Sequence, residues 1–154
     1  MSEPDRFALC VARFYGEVAD RLVERARAAL AAAGHEDVDE LDVPGAFELP
    51  LAVRYAAESG RYAGIVALGA VIRGDTDHYY YVCAEAARGI QQVQLLTGVP
   101  CGFGVLTVDT MEQARARADG DTRDSGRAAV EAMLAVLEVK RSMEQRPGRT
   151  GFTG

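Results

Sequence analysis

At 154 residues the chain has the length of one domain, and its 49% hydrophobic and 26% charged residues are typical of a folded globular protein. Its net charge of −6 argues against nucleic acid as a partner, and no apolar run reaches the ~20 residues of a membrane helix. The first residues lack the basic and then apolar pattern of a signal peptide, so we expect a cytoplasmic protein.

The first half of the sequence predicts two strands and two helices in alternation. Residues 6–12 form a short apolar run typical of a buried strand, and residues 16–33 repeat apolar side chains at helical spacing. Residues 38–43 alternate apolar with acidic side chains, which indicates a less buried strand. Residues 49–59 then predict a second helix.

The second half continues the alternation. Residues 64–72 form the most continuously apolar run in the chain, typical of a central parallel strand that is covered on both faces. Residues 80–96 predict a helix with apolar side chains on one face. Residues 101–107 predict a fourth strand.

Two further helices complete the predicted elements. Thr110 and Gln113 match a capping box, so we expect a short helix that ends at about Ala118. A polar loop over residues 119–125 precedes a final helix over residues 126–144.

Strands that alternate with helices predict a parallel sheet with right-handed crossovers. We therefore expect an α/β protein, a three-layer αβα sandwich of the flavodoxin-like kind, with helices on both faces of a four-stranded parallel sheet. No repeat or linker divides the sequence, so residues 1–154 should form one domain, with a flexible Gly- and Pro-rich tail over about residues 146–154.

Side chains suited to chemistry follow the predicted strands, where ligands bind in such sheets. Phe14 and Phe47 offer an aromatic platform, Glu48 a hydrogen-bonding acid, and His78 a proton carrier near neutral pH. Taken singly, each is equally compatible with a structural role: the aromatic residues in the core, Glu48 in a helix first turn, and His78 at the surface.

Several other chemistries find no support in the sequence. There is no phosphate-binding G-x-x-x-x-G-K-[ST], no G-x-G-x-x-G, and no G-x-S-x-G. His35 and His78 are far apart and lack the paired cysteines of a metal site. The odd number of cysteines, without paired spacing, indicates small buried hydrophobic residues rather than disulfides.

Four motifs lie at predicted strand ends. They are "ARFY" at residues 12–15, "VPGAFELP" at 43–50, "ALGAVIRGDTDHYYYV" at 67–82 and "GFGVLTVDTMEQA" at 102–114. Each motif alone is weak, but all four occur in order, and together they resemble the lumazine synthase family of riboflavin biosynthesis.

The resemblance implies an enzyme, a transferase with two small-molecule substrates. It would condense 5-amino-6-(D-ribitylamino)uracil with 3,4-dihydroxy-2-butanone 4-phosphate to 6,7-dimethyl-8-ribityllumazine, releasing phosphate and water. The implied steps are Schiff-base formation, loss of phosphate, tautomerisation and ring closure. No cofactor and no metal is implied.

The resemblance also assigns residues to the ribitylaminopyrimidine. They are Phe14, Ala46, Phe47, Glu48, Val71 and Ile72. Phe14 would stack on the pyrimidine, residues 46–48 would position the ribityl chain, and backbone groups of residues 71 and 72 would meet the pyrimidine edge.

A second group of residues is implied for the phosphate and the proton transfers. They are Gly74, Asp75, Thr76, His78 and Arg117. Residues 74–76 would donate backbone N–H groups to phosphate, and Arg117 would supply charge. His78 would carry protons, and Phe103 would close the site from a neighbouring subunit.

The sequence departs from the family pattern at two places. Tyr80 stands where the family usually has an acid, so the protein does without that acid or uses Asp77 instead. The loop over residues 118–126 has no lysine, and Arg123 or Arg127 is the alternative source of positive charge. Asp121 and Ser125 align with the family's lysine positions.

The sequence is compatible with more than one assembly and more than one function. The lysine-free loop favours a homo-oligomer that is a pentamer or a dimer of pentamers over a sixty-subunit capsid. The alternative functions are an archaeal-type riboflavin synthase of the same fold and a divergent, weakly catalytic or non-catalytic paralogue that binds lumazine or flavin. A flavodoxin-like electron carrier is disfavoured, since no Ser/Thr-rich phosphate turn follows the first strand.

Overall fold

Strands and helices alternate along the chain in the computed structural model, which describes residues 3–145. The described elements are β1 (Phe7–Ala12), α1 (Gly16–Ala32), β2 (Val38–Val43), a short 3-10 helix (Ala46–Glu48), α2 (Leu49–Glu58), β3 (Gly64–Ile72), α3 (His78–Thr97), β4 (Cys101–Val108), α4 (Met111–Asp119) and α5 (Ser125–Gln145). The predicted flexible tail lies outside the described residues. Within them, no helix is both long and apolar enough to cross a membrane.

The four strands form one parallel sheet in the order β2-β1-β3-β4. Phe7 pairs with Val38 on one side and with Gly64 on the other, so β1 is central, whereas β2 and β4 form the edges. The predicted α/β class, with its flavodoxin-like three-layer arrangement, is confirmed. The carboxyl ends of all strands meet at one side of the sheet, and the order reverses between β1 and β3.

Each face of the sheet has its own core. On one face, α1, α4 and α5 pack on the sheet around Leu9, Leu22 and Met133, all fully buried. On the other face, α2 and α3 pack around Leu49 and Ile90. The strand β1 is buried along its whole length because helices cover both of its faces.

Close packing of α5 on β4 depends on a residue without a side chain. A Cβ on Gly102 would collide with the backbone carbonyl oxygen of Ala129. The missing side chain lets the backbone of α5 approach the backbone of β4 closely.

Helix starts differ in how well the sequence predicts them. The capping box is confirmed: Gln113 N–H donates to Thr110 Oγ1 at 3.1 Å, and the Gln113 side chain accepts from Thr110 N–H at 3.3 Å.

The predicted start of α3 at residue 80 is wrong, because the helix begins at His78. The carbonyl of Asp77 accepts the first hydrogen bonds, from Tyr80 N–H at 3.0 Å and Tyr81 N–H at 3.4 Å.

The cysteines behave as thiols in apolar surroundings. All three are free, with Cys10 buried and Cys83 and Cys101 half-buried. Burial raises the pKa of Cys10 and of Cys101 to about 12. The prediction of a buried hydrophobic residue is therefore confirmed in full for Cys10 and in part for the other two.

Candidate active site

Two clefts contain nearly all of the predicted site residues. The first cleft has a volume of about 590 Å³ and lies among the segments that follow β1, β2 and β3. The second cleft has a volume of about 450 Å³ and lies between β4, the end of α4 and the start of α5. The two clefts have no lining residue in common.

The first cleft collects most of the predicted site residues. These are Phe14, Ala46, Phe47, Glu48, Val71, Ile72, Gly74, Thr76 and His78. Asp75 is exposed at the tip of the same turn and is not among the residues that line the cleft.

The two phenylalanines of the first cleft are not core residues. Phe14 is 73% exposed and Phe47 is 62% exposed, although both are large apolar side chains. The ring of Phe14 meets Tyr15 edge to face, with the ring centroids 4.9 Å apart and the planes at 79°. Both rings are therefore sufficiently exposed to stack on a flat ligand.

Ion pairs fix the chain immediately before Phe14. Arg13 donates from Nε to Asp42 Oδ1 at 3.1 Å and from Nη2 to Glu40 Oε2 at 3.0 Å. Its third nitrogen pairs with Asp20 on α1. Arg13 thus ties the end of β1 to β2 and to α1, which holds the aromatic platform in place.

Glu48 ends the short 3-10 helix, an element that the sequence analysis missed. Its N–H donates to the carbonyl of Gly45 at 3.2 Å. A Cβ at position 45 would lie 3.5 Å from Glu48 Oε1, so the glycine leaves open space beside the carboxylate. The carboxylate has no ion-pair partner among residues 3–145. It can therefore accept hydrogen bonds from hydroxyl groups of a ligand.

The end of β3 offers backbone groups to the first cleft. Pairing of β3 with β1 stops at Leu68, whereas pairing with β4 continues to Ile72. On the β1 side, the backbone of residues 70–72 therefore has no strand neighbour, and all three residues line the cleft. Unpaired backbone N–H and C=O groups need partners, and a planar heterocycle with amide-like edges can supply them.

The turn after β3 leads directly into α3. Thr76 Oγ1 accepts a hydrogen bond from the backbone N–H of His78 at 3.3 Å, and the space beside Gly74 is open. Backbone N–H groups at a helix start favour an anion. His78, as the first residue of α3, places an imidazole beside that turn in the first cleft.

Tyr80 does not partner His78. Its hydroxyl oxygen accepts a hydrogen bond from Arg73 Nη1 at 2.6 Å, on the side towards β4. Among the described residues, no carboxylate is hydrogen-bonded to the imidazole of His78, and Asp77 contributes its backbone carbonyl to α3 instead. In the described part of the chain, the imidazole of His78 is thus hydrogen-bonded to neither Tyr80 nor Asp77.

The second cleft is lined by the remaining predicted residues, Phe103, Arg117 and Arg123, together with Ser125. Phe103 is 44% exposed. Arg117 and Arg123 form no ion pair with any residue that the structure describes. Two uncompensated guanidinium groups in one cleft favour an anionic ligand.

Within one chain, the predicted site is therefore divided. The first cleft has the two exposed phenylalanines, the turn over residues 74–76 and His78, and the second has Phe103 and the two arginines. The motifs assign Phe103 to a neighbouring subunit, but they do not separate Arg117 and Arg123 from that turn. Tyr79 and Tyr81 also line the first cleft and were not predicted; the run of three tyrosines was the available signal.

Comparison with known proteins identifies the family. A sequence model described as "6,7-dimethyl-8-ribityllumazine synthase" matches residues 5–141. Proteins of that name are 48% identical over 142 residues in Nitratidesulfovibrio vulgaris, covering 91% of this chain and 89% of the relative. The protein of that name in Kineococcus radiotolerans is 51% identical, covering 86% of this chain and 81% of the relative. The one in Halorhodospira halophila is 45% identical, covering 90% of each. The chain belongs to the 6,7-dimethyl-8-ribityllumazine synthase family, as its four motifs predict.

Proposed function

We propose that this chain condenses 5-amino-6-(D-ribitylamino)uracil with 3,4-dihydroxy-2-butanone 4-phosphate to 6,7-dimethyl-8-ribityllumazine, with release of phosphate and water. Family membership supports this transferase reaction, and no observation favours the alternative of a binding paralogue. The observation that carries the proposal is the make-up of the first cleft. It combines an aromatic platform, a free carboxylate, an anion-binding turn and a histidine.

The first cleft suits the ribitylaminopyrimidine. The exposed ring of Phe14 stacks on the pyrimidine, while Val71 and Ile72, at the end of β3 where the β1 side has no strand neighbour, meet its amide-like edge. Glu48 accepts hydrogen bonds from the ribityl hydroxyls, and Ala46 and Phe47 flank that chain. This arrangement leaves the 5-amino group near the turn that precedes α3.

The turn and His78 suit the second substrate. Backbone N–H groups of residues 74–76 hold the phosphate at the start of α3, which places the ketone carbonyl near the amine. His78 accepts the proton that the amine loses on attack and donates one to the departing hydroxyl when the imine forms. Alignment of the two substrates can supply on the order of 7–11 kcal/mol, more than one acid–base group supplies.

The second cleft completes the site of an adjacent copy. In a closed ring each chain presents one surface to one neighbour and a different surface to the other. Arg117 and Arg123 then add charge at the neighbour's phosphate turn, and Phe103 covers the neighbour's pyrimidine. We propose a pentamer or a dimer of pentamers, and exposed Leu95 and Leu96 on α3 supply apolar surface for subunit contacts.

The location proposed for the enzyme is the cytoplasm. All three cysteines are free thiols, which suits a reducing compartment.

Mixed assemblies test both the reaction and the shared site. His78→Ala and Arg117→Ala chains, carrying different tags, are co-expressed, and lumazine absorbance is followed together with phosphate release. Each variant alone should be slow. In a 1:1 mixture about one site in four should combine an intact first cleft with an intact second cleft, so activity should exceed that of either variant.

The matched control mixes His78→Ala with Phe14→Ala. Both substitutions lie in the first cleft, so no combination of these chains gives an intact site, and activity should not recover. Recovery in the control as well would contradict a site shared between the two clefts. Wild-type protein that binds lumazine without releasing phosphate would overturn the proposed reaction in favour of the binding paralogue.

A further inference from the structure

Arg73 links the ends of two strands to the start of α3. Its backbone N–H donates to the carbonyl of Val108 at 2.9 Å, one residue beyond the paired part of β3. Its side chain donates from Nε to Asp109 Oδ1 at 2.8 Å and from Nη1 to the hydroxyl of Tyr80 at 2.6 Å. One arginine thus connects β3, the residue after β4, and the first turn of α3.

The aromatic rings around this arginine strengthen the connection. The guanidinium carbon lies 5.0 Å from the ring centroids of both Tyr79 and Tyr80. The two rings meet at 82°, with centroids 5.4 Å apart. The two distances from the guanidinium carbon to the rings fall within the range of cation–π attraction. The phenol of Tyr80 and the carboxylate of Asp109 raise the pKa of Arg73 above its usual value.

Asp109 is itself held in place. Its backbone N–H donates to Gln113 Oε1 at 2.8 Å, and Gln113 belongs to the capping box of α4. A continuous set of contacts therefore runs from the first turn of α4 through Asp109 and Arg73 to Tyr80.

The turn between Arg73 and Tyr80 has few contacts of its own. Its residues are exposed, and the one side-chain hydrogen bond described within it joins Thr76 to the His78 N–H. Such a turn samples several conformations unless its ends are fixed, and ordering it on binding would weaken affinity. Arg73 holds the end before the turn and Tyr80 the end after it.

We propose that Tyr80 is a positioning residue that acts through Arg73 to fix the turn over residues 74–77 and the imidazole of His78. The proposal rests on the proposed function, since it assigns that turn to the phosphate-bearing substrate. Tyr80 accepts from Arg73 through a hydroxyl group where the family usually has a carboxylate, so no carboxylate charge is added beside a bound phosphate.

Tyr80→Phe tests the proposal because it keeps the ring and removes only the hydroxyl. We expect the KM for the phosphate-bearing substrate to rise and kcat to fall, each by about 3- to 10-fold. The ratio kcat/KM then falls by about 10- to 100-fold, the effect of one lost hydrogen bond to a charged group. The KM for the ribitylaminopyrimidine should stay unchanged, because its contacts lie on other segments. Tyr55→Phe, an exposed tyrosine on α2, is the matched control and should change neither.

A double-mutant cycle shows whether Tyr80 acts through Arg73. In an Arg73→Lys background, where the forked contact to Asp109 and Tyr80 is lost, Tyr80→Phe should have little further effect. If Tyr80→Phe lowered activity in that background as much as it does in wild type, Tyr80 would not act through Arg73. Equal changes in the KM of both substrates would indicate a general structural defect and also overturn it.

Hydrogen exchange gives a readout that does not depend on activity. The backbone N–H groups of Tyr80 and Tyr81, which donate to the carbonyl of Asp77, should exchange faster in Tyr80→Phe than in wild type or Tyr55→Phe. Unchanged exchange with unchanged kinetics would overturn the positioning role alone. An inactive wild-type protein would overturn the proposed function, and with it the role of this turn in catalysis.

Discussion

Arg127 donates a hydrogen bond from Nε to Oε1 of Glu131 at 2.7 Å, one helical turn further along α5. Its backbone N–H donates to Asp124 Oδ1 at 3.2 Å, as part of the start of the same helix. Arg123 lines the second cleft and has no ion-pair partner among the described residues. Of the two arginines that the sequence offers in place of the family's lysines, Arg123 is therefore the one free to bind phosphate.

Arg123→Ala should raise the KM for the phosphate-bearing substrate by about 10-fold or more, since a charge-assisted hydrogen bond contributes about 1.5–3 kcal/mol. Arg127→Ala removes the same side chain from an exposed pair and should change that KM little. Initial rates at varied concentrations of each substrate measure both effects. A larger effect of Arg127→Ala would contradict the assignment.

His78→Ala should slow the reaction by about 10²–10⁴-fold without abolishing it, because one acid–base group supplies that much and substrate alignment remains. Lumazine absorbance measures the rate against a reaction without protein. His35→Ala is the control, because the His35 ring packs 4.7 Å from Phe7 and lies outside both clefts. A His78→Ala rate no higher than the uncatalysed background would contradict the dominance of alignment.

Gly102→Ala should destabilise the protein by about 1–3 kcal/mol, the usual cost of forcing a methyl group into packed structure. The new methyl group would meet the carbonyl oxygen of Ala129 and push α5 away from β4. Gly16→Ala is the control: nothing lies within 4 Å of the added Cβ, and the position is the first of α1. Thermal unfolding of both variants should show a lower Tm for Gly102→Ala only.

Stability should fall at alkaline pH because of Cys10 and Cys101. An unfolded thiol ionises near its ordinary pKa of 9.0, whereas burial keeps these two protonated to about pH 12 in the native protein. Unfolding therefore releases protons between pH 9 and about 12, and the free energy of unfolding declines as the pH rises through that interval. Well below pH 9, these thiols should not affect the pH dependence of the free energy of unfolding.

The double variant Cys10→Ala and Cys101→Ala tests this prediction. Its Tm should fall less steeply with pH above 9 than that of wild type, whereas the two slopes should agree between pH 7 and 8.5. Circular dichroism melts at stepped pH measure both slopes. Parallel curves over the whole range would show that the thiols do not contribute.

Local patterns predicted most of the fold. The strand over residues 64–72 and the capping box at Thr110 were correct because apolar runs and caps are properties of neighbouring residues. The 3-10 helix at residues 46–48 was missed, since one turn is too short to show periodicity. The start of α3 was missed because a hydrogen bond to the carbonyl of Asp77 decides it, and no side-chain pattern records that bond.

The division of the site into two clefts could not be predicted in the same way. The rule that ligands bind beyond strand ends places His78 and Arg117 at the same side of the sheet. Which cleft each side chain enters depends on the path of α4 and α5 across one face and of α3 across the other. Those paths follow from long-range packing, including the contact at Gly102, which no short stretch of sequence contains.

The edge strand β2 carries Asp39, Glu40 and Asp42 in its six residues. Arg13 holds the carboxylates of Glu40 and Asp42 within the same chain. If a second copy of β2 paired along this edge, acidic residues of the two strands would lie close together, which is unfavourable. Repulsion between these acidic residues therefore disfavours pairing of newly synthesised chains through β2, and with it aggregation into a continuous intermolecular sheet before assembly.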